Sequence, residues 1–81
     1  MQGEDRFRKL RWLCRRGMKE LDVLLESFLE QHQQELKSGG LAHFESFLDQ
    51  EDDLIWYWLQ KQKTPENEQF QILVNLIRRD S

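Results

Sequence analysis

One proline, one cysteine, one tyrosine and four glycines in 81 residues remove several protein classes at once. A single cysteine, Cys14, has no internal partner, so a disulfide scaffold is excluded. So little proline and glycine excludes collagen-like and low-complexity chains. No apolar run approaches the roughly 20 residues that span a bilayer, so membrane insertion is not expected. Enzyme signatures are missing as well: there is no glycine-rich phosphate loop, no GxSxG, no CxxC and no histidine pair at metal-ligand spacing. Neither catalysis nor a metal is expected of this chain. Period-2 alternation of useful length is absent too, which argues against a sheet.

What remains, 38% hydrophobic and 33% charged residues, is the composition of a soluble helical domain. A single domain over residues 1–81 is expected, and a chain this short buries only about 60% of its unfolded surface, leaving little room for a deep cleft. The first ten residues, MQGEDRFRKL, carry charges where a secretory signal needs an apolar run. Together with the lone cysteine, that fits a reducing, cytoplasmic compartment. The net charge of -3 conceals an asymmetry. Residues 1–20 hold seven Lys or Arg against three acids (+4), and the other 61 residues hold five bases against twelve acids (-7). Such polarity steers an oriented approach to a charged partner.

Helical periodicity predicts an all-α protein, a compact bundle of five short helices. Phe7, Leu10, Leu13 and Cys14 mark a first helix over about residues 5–16, stopped at Gly17. Leu21, Leu24, Leu25, Phe28, Leu29, His32 and Leu36 mark a second over about 18–37, ended by Ser38-Gly39-Gly40. Leu41, Phe44, Phe47 and Leu48 give a short third. The acids of 49–53 suit the start of a fourth, whose buried face is Leu54, Ile55, Trp58 and Leu59. Thr64-Pro65-Glu66 reads as the start of a fifth, with Thr64 as cap and Pro65 in the first turn. Its face is Phe70, Leu73, Val74 and Ile77, widened by Ile72 and Leu76. Trp56 and Trp58 point about 200° apart on a helix. With Trp58 inward, Trp56 is read as a boundary tryptophan shielding the core.

The stretch WLCRRGMKELD, residues 12–22, is the one candidate working surface. Two readings stand side by side. Arg15 and Arg16 near the end of one helix, with Glu20 and Asp22 near the start of the next, suit the helix dipoles at about 0.3–1 kcal/mol each. A tryptophan beside arginines is also the composition of a binding hot spot. Cys14 reads as a small buried hydrophobe, His32 as a hydrogen-bonded boundary residue, and His43 as a lone residue near a turn.

At these residues the sequence resembles the small flavinylation factors of the SdhE type, the succinate dehydrogenase assembly factors. Their Arg-Gly-x-x-Glu motif reads here Arg16-Gly17-Met18-Lys19-Glu20, within a fuller pattern of Trp12, Cys14, Arg15, Arg16, Gly17, Met18, Glu20, Leu21 and Asp22. The chain length, the DLIxxWL segment ending at Leu59 and the final helix after Thr64-Pro65 extend the likeness over nearly the whole chain. The resemblance implies a five-helix domain that binds the flavoprotein subunit of succinate dehydrogenase, and in bacteria often of fumarate reductase. It implies promotion of covalent FAD attachment to a client histidine. No nucleotide-binding motif is visible, so no cofactor of its own is expected, and the chain is expected to be a monomer. Arg16, Gly17 and Glu20 would form the contact surface, with Trp12, Arg15 and Asp22 beside them and Lys9 and Arg11 extending the patch. Gly17 would also let the client backbone approach closely. Relatives have been described as antitoxins of a small membrane toxin, but nothing in the sequence selects for that pairing. A nucleic-acid-binding helical module is the other alternative. The net acidity and the acids inside the patch argue against it.

Overall fold

The computed structural model describes residues 2–79 and forms six helices: α1 (Gln2–Leu13), α2 (Lys19–Gln31), α3 (Gln33–Lys37), α4 (Phe44–Leu48), α5 (Asp52–Leu59) and α6 (Glu68–Arg79). No strand occurs among the described residues, so the all-α class stands. The helix count is six rather than five because the long second helix breaks at His32, whose backbone (φ -115°, ψ 25°) leaves helical geometry. No glycine or proline announces the break. The His32 N–H still closes on the Phe28 carbonyl at 3.0 Å, and its own carbonyl accepts the Leu36 N–H at 2.9 Å, so α2 and α3 meet at a bend. The His32 ring packs 4.5 Å from that of Phe28 and bonds Glu35 Oε1 through Nδ1 at 2.9 Å, the boundary role expected of it.

The bend lays α3 on α1. There Gly3 is indispensable for contact, since a Cβ in its place would collide with the Lys37 carbonyl oxygen. The Arg6 guanidinium donates to the Leu36 carbonyl, and Lys37 sits 5.1 Å above the Phe7 ring while pairing with Glu4 at 3.0 Å. Next, α3 ends in a Schellman motif: Gly39 takes φ 93°, Gly40 N–H reaches Glu35 O at 2.8 Å, and Gly39 N–H reaches Leu36 O at 3.4 Å. The same motif ends α5, but with Lys61 (φ 63°) where glycine is the usual choice.

Two helix ends differ from expectation. The first helix stops at Leu13 rather than residue 16, so Arg15 and Arg16 lie in the connection. The last helix begins at Glu68, because Asn67 and not Thr64 is its cap: Asn67 Oδ1 accepts the N–H groups of Gln69 (2.8 Å) and Phe70 (3.2 Å). Pro65 is instead buried ahead of the helix, and its carbonyl accepts Gln71 Nε2 at 2.8 Å.

The core is one apolar cluster containing Phe70, Leu73, Val74 and Ile77 of α6 and Ile55, Trp58 and Leu59 of α5, with Leu54 and Leu76 half-buried against it; Ile72, expected to widen the α6 face, is instead 52% exposed, because it lies off the line of those four. Helix α6 packs on α2, α4 and α5. Phe47 is the aromatic centre, with ring centroids 5.5 Å from Phe70, 5.7 Å from Trp58 and 6.3 Å from Phe44. Each such ring removed from water contributes about 1.5–3 kcal/mol. Trp58 is buried and Trp56 half-buried, as their angular separation requires. No described helix is long and apolar enough to cross a membrane.

Candidate functional site

The connection between α1 and α2 is short, and its shape follows from hydrogen bonds made by two residues. Gly17 adopts φ 85°, a left-handed conformation that L side chains resist, so the turn needs glycine here. Met18 stands at the N-cap of α2 with no side-chain acceptor to offer. Asp22 supplies one from inside the helix: its carboxylate accepts the N–H of Arg16 at 2.8 Å and that of Gly17 at 3.3 Å.

Arg16 does more than occupy a turn. Its Nε donates to Asp52 Oδ1 at 2.6 Å, Nη1 to the carbonyls of Leu13 (2.9 Å) and Leu48 (2.6 Å), and Nη2 to the carbonyl of Gln50 (2.7 Å). Leu13 and Leu48 are the last residues of α1 and α4, whose carbonyls lack partners within their helices and carry the negative end of the dipole. One guanidinium therefore joins the ends of α1 and α4 to the start of α5. Its side chain is 12% exposed.

Of the six residues assigned to the surface, Arg16 and Asp22 thus turn inward. Trp12 is 72% exposed on the face of α1 opposite Leu10 and Cys14, and Arg15, Gly17 and Glu20 are exposed as well. Among the described residues the side chains of Arg15, Lys19 and Glu20 form no hydrogen bond or ion pair. The remaining bases of α1 are engaged: Arg8 with Asp5 at 3.8 Å, Lys9 with Glu45 at 2.6 Å, Arg11 with Glu30 at 2.7 Å. Their hydrogen bond pushes the Lys9 ammonium above its ordinary pKa and the Glu45 carboxyl below its own. Lys9 and Arg11 are therefore tied to α4 and α2 and do not extend a free basic patch. Mixed charge, not a basic field, faces outward at the junction.

Sequence reasoning missed Val23, which is 58% exposed one turn beyond Lys19. With Arg11, Arg15, Glu26 and Glu30 it lines a shallow groove between α1 and α2. Its signal was available, because an apolar side chain off the Leu21–Leu25–Phe28 line has no place in the core. Cys14 is fully buried below the junction, and burial pushes its thiol up to about 12. That environment disfavours a thiolate nucleophile. No group of three or more His, Cys, Asp or Glu among the described residues could hold a metal ion.

Residues 8–81 match the family described as "Flavinator of succinate dehydrogenase". Among curated relatives, the "FAD assembly factor SdhE" of Coxiella burnetii is 42% identical over 88% of this chain and 87% of its own length. The protein of that name from Legionella pneumophila (strain Paris) is 39% identical over 86% and 87%. The one from Pseudomonas aeruginosa is 34% identical over 95% and 92%. No solved structure gave a significant match. With the match running from α1 to the C-terminus and the motif residues at its α1–α2 junction, this chain belongs to the family of succinate dehydrogenase flavinators.

Proposed function

We propose that this chain is an assembly factor that binds the flavoprotein subunit of succinate dehydrogenase, and in bacteria also that of fumarate reductase, and promotes covalent attachment of FAD to it. The observation that carries this reading is the junction itself. A rigid turn presents Trp12, Val23 and the unpaired charges of Arg15, Lys19 and Glu20 outward, around the exposed backbone of Gly17. Exposed aromatic and apolar anchors ringed by charges of both signs suit a protein partner. A polyanion would meet Glu20 and, across the α1–α2 groove, Glu26 and Glu30.

The chain is read as carrying no cofactor of its own, FAD being held by the flavoprotein, and as a monomer of the cytoplasm. Among the described residues there is no activated nucleophile and no deep cleft, and the chain's contribution is read as binding. By preferring a client conformation in which bound FAD and the acceptor histidine are aligned, it raises the population of that conformation. The attachment step, left to the client, gains from alignment.

The test replaces the native factor by Trp12→Ala or Glu20→Ala and measures covalent flavin on the succinate dehydrogenase flavoprotein beside the thermal melt of each variant. Variants that melt like the parent yet leave the flavin uncoupled support the reading. Undiminished covalent flavin with both would overturn it.

A further inference from the structure

Resting on that reading, we infer that Arg16 and Asp52 are a positioning pair: they hold the recognition surface in place and do not themselves contact the flavoprotein. The motif arginine is the residue that sequence reasoning put first among the contacts, and the geometry assigns it elsewhere. A guanidinium has five N–H donors. Four of them are engaged, on Asp52 and on the carbonyls of Leu13, Leu48 and Gln50, and the group is 12% exposed. Only one Nη2 N–H is left over, on a side chain that is largely covered, while the other four close three helix ends.

What the pair controls is the path of the chain from Leu13 to Lys19. Trp12 and Arg15 precede Arg16, and Gly17, Lys19 and Glu20 follow it, so the whole outward surface hangs on where Arg16 is fixed. The fixing point lies 36 residues downstream, at the start of α5. Asp22 fastens the same turn from the α2 side through the Arg16 and Gly17 N–H groups. The surface therefore depends on a segment remote in sequence, residues 48–52, and Asp52, outside that surface, becomes necessary for recognition. Lysine cannot substitute at position 16, because one compact ammonium cannot reach four acceptors arrayed around a planar fork.

The experiment uses the full chain and the purified flavoprotein subunit of succinate dehydrogenase. Binding is measured at 10 °C, with circular dichroism establishing that each variant is folded there, and amide hydrogen exchange is followed over residues 15–20. Asp52→Asn and Arg16→Lys should each weaken binding at least tenfold and speed exchange of the turn by a similar factor, because apparent affinity scales with the competent fraction. Adding Lys61→Gly, which relieves the left-handed lysine at the distant end of α5, should recover melting temperature without recovering binding. Parental affinity in Asp52→Asn and Arg16→Lys overturns the inference, and so does recovery of binding together with melting temperature. Glu20→Ala separates the two levels. If it loses binding while Asp52→Asn does not, the positioning role fails and the functional reading stands; if the parent itself does not bind, both fall.

Discussion

Asp22 reaches backward across the bend and its carboxylate accepts the backbone N–H of Arg16 at 2.8 Å, so the connection from α1 is held by a residue inside α2. Hydrogen bonds to a charged group contribute about 1.5–3 kcal/mol each when partly shielded. Because Gly17 N–H shares the same carboxylate at a longer 3.3 Å, the pair should not count double. Asp22→Ala is expected to lose about 2 kcal/mol in urea unfolding, and Asp22→Asn less, since an amide oxygen keeps one neutral acceptor. An unchanged midpoint for Asp22→Ala would show that water replaces the carboxylate without cost.

Gly3→Ala sets two effects of opposite sign against each other. Helix propensity alone predicts a gain, because glycine in a helix is about 1 kcal/mol worse than alanine. Packing predicts a loss, because the new Cβ meets the backbone carbonyl of Lys37, which cannot rotate away as a side chain would. Overpacking of this kind costs about 1–3 kcal/mol. The expected net change is a loss, accompanied by faster amide exchange in α3. A stabilised variant would mean that α1 and α3 do not touch at this point.

Lys61→Gly should do the reverse. Lys61 holds φ 63° to let Gln62 N–H reach Tyr57 O at 2.9 Å and to close the end of α5. A residue with a Cβ pays about 1–2 kcal/mol in that conformation, partly offset by the greater unfolded-state entropy of glycine. A net gain of about 0.5–1 kcal/mol is expected, or roughly 2–8 °C in melting temperature for a domain of this size. A fall in melting temperature would mean that the Lys61 side chain does more there than strain its backbone.

The all-helical class, the buried faces of α5 and α6 and the location of the junction were all legible in the sequence, because apolar periodicity and the residues WLCRRGMKELD are local signals. The bend at His32 was not legible, since no glycine or proline marks it and its cause is the packing of α3 on α1. The start of α6 was misplaced because Thr64-Pro65 is a strong local signal, and only the structure shows Pro65 buried and Asn67 doing the capping. The inward turn of Arg16 was hidden for a deeper reason: four acceptors from residues 13, 48, 50 and 52 meet only in three dimensions. By the same token, Lys9 and Arg11 looked free until Glu45 and Glu30 were found beside them.

Cys14 gives the protein an alkaline weakness. Its thiol titrates near 9.0 when unfolded and is pushed to about 12 in the fold, chiefly by burial. Between those values the unfolded chain binds fewer protons than the folded one, so stability falls as pH rises. The slope should approach about 1.4 kcal/mol per pH unit above pH 9, and most of it should be lost in Cys14→Ala. Below pH 9 the two proteins should differ only by a constant cavity cost. A parental stability that stays flat from pH 9 to 10.5 would show that the thiol is not sequestered.

Gly17 allows turn chemistry and client contact to be separated, because the structure leaves space around it but not freedom of backbone. A Cβ built there meets nothing within 4 Å, yet φ is 85°. Replacement should therefore cost about 1 kcal/mol for the conformation alone, and the cost should be nearly the same for Gly17→Ala and Gly17→Arg, since neither side chain collides with the fold. Stability measured in urea checks that equality. Client binding should not be equal. If the flavoprotein backbone lies close to Gly17, a methyl group is a modest obstruction and an arginine a large one, so Gly17→Arg should lose far more covalent flavin than Gly17→Ala at matched stability. Should the two variants unfold together and flavinylate together, Gly17 serves the turn only, and the client must approach the junction from the side of Trp12 and Arg15.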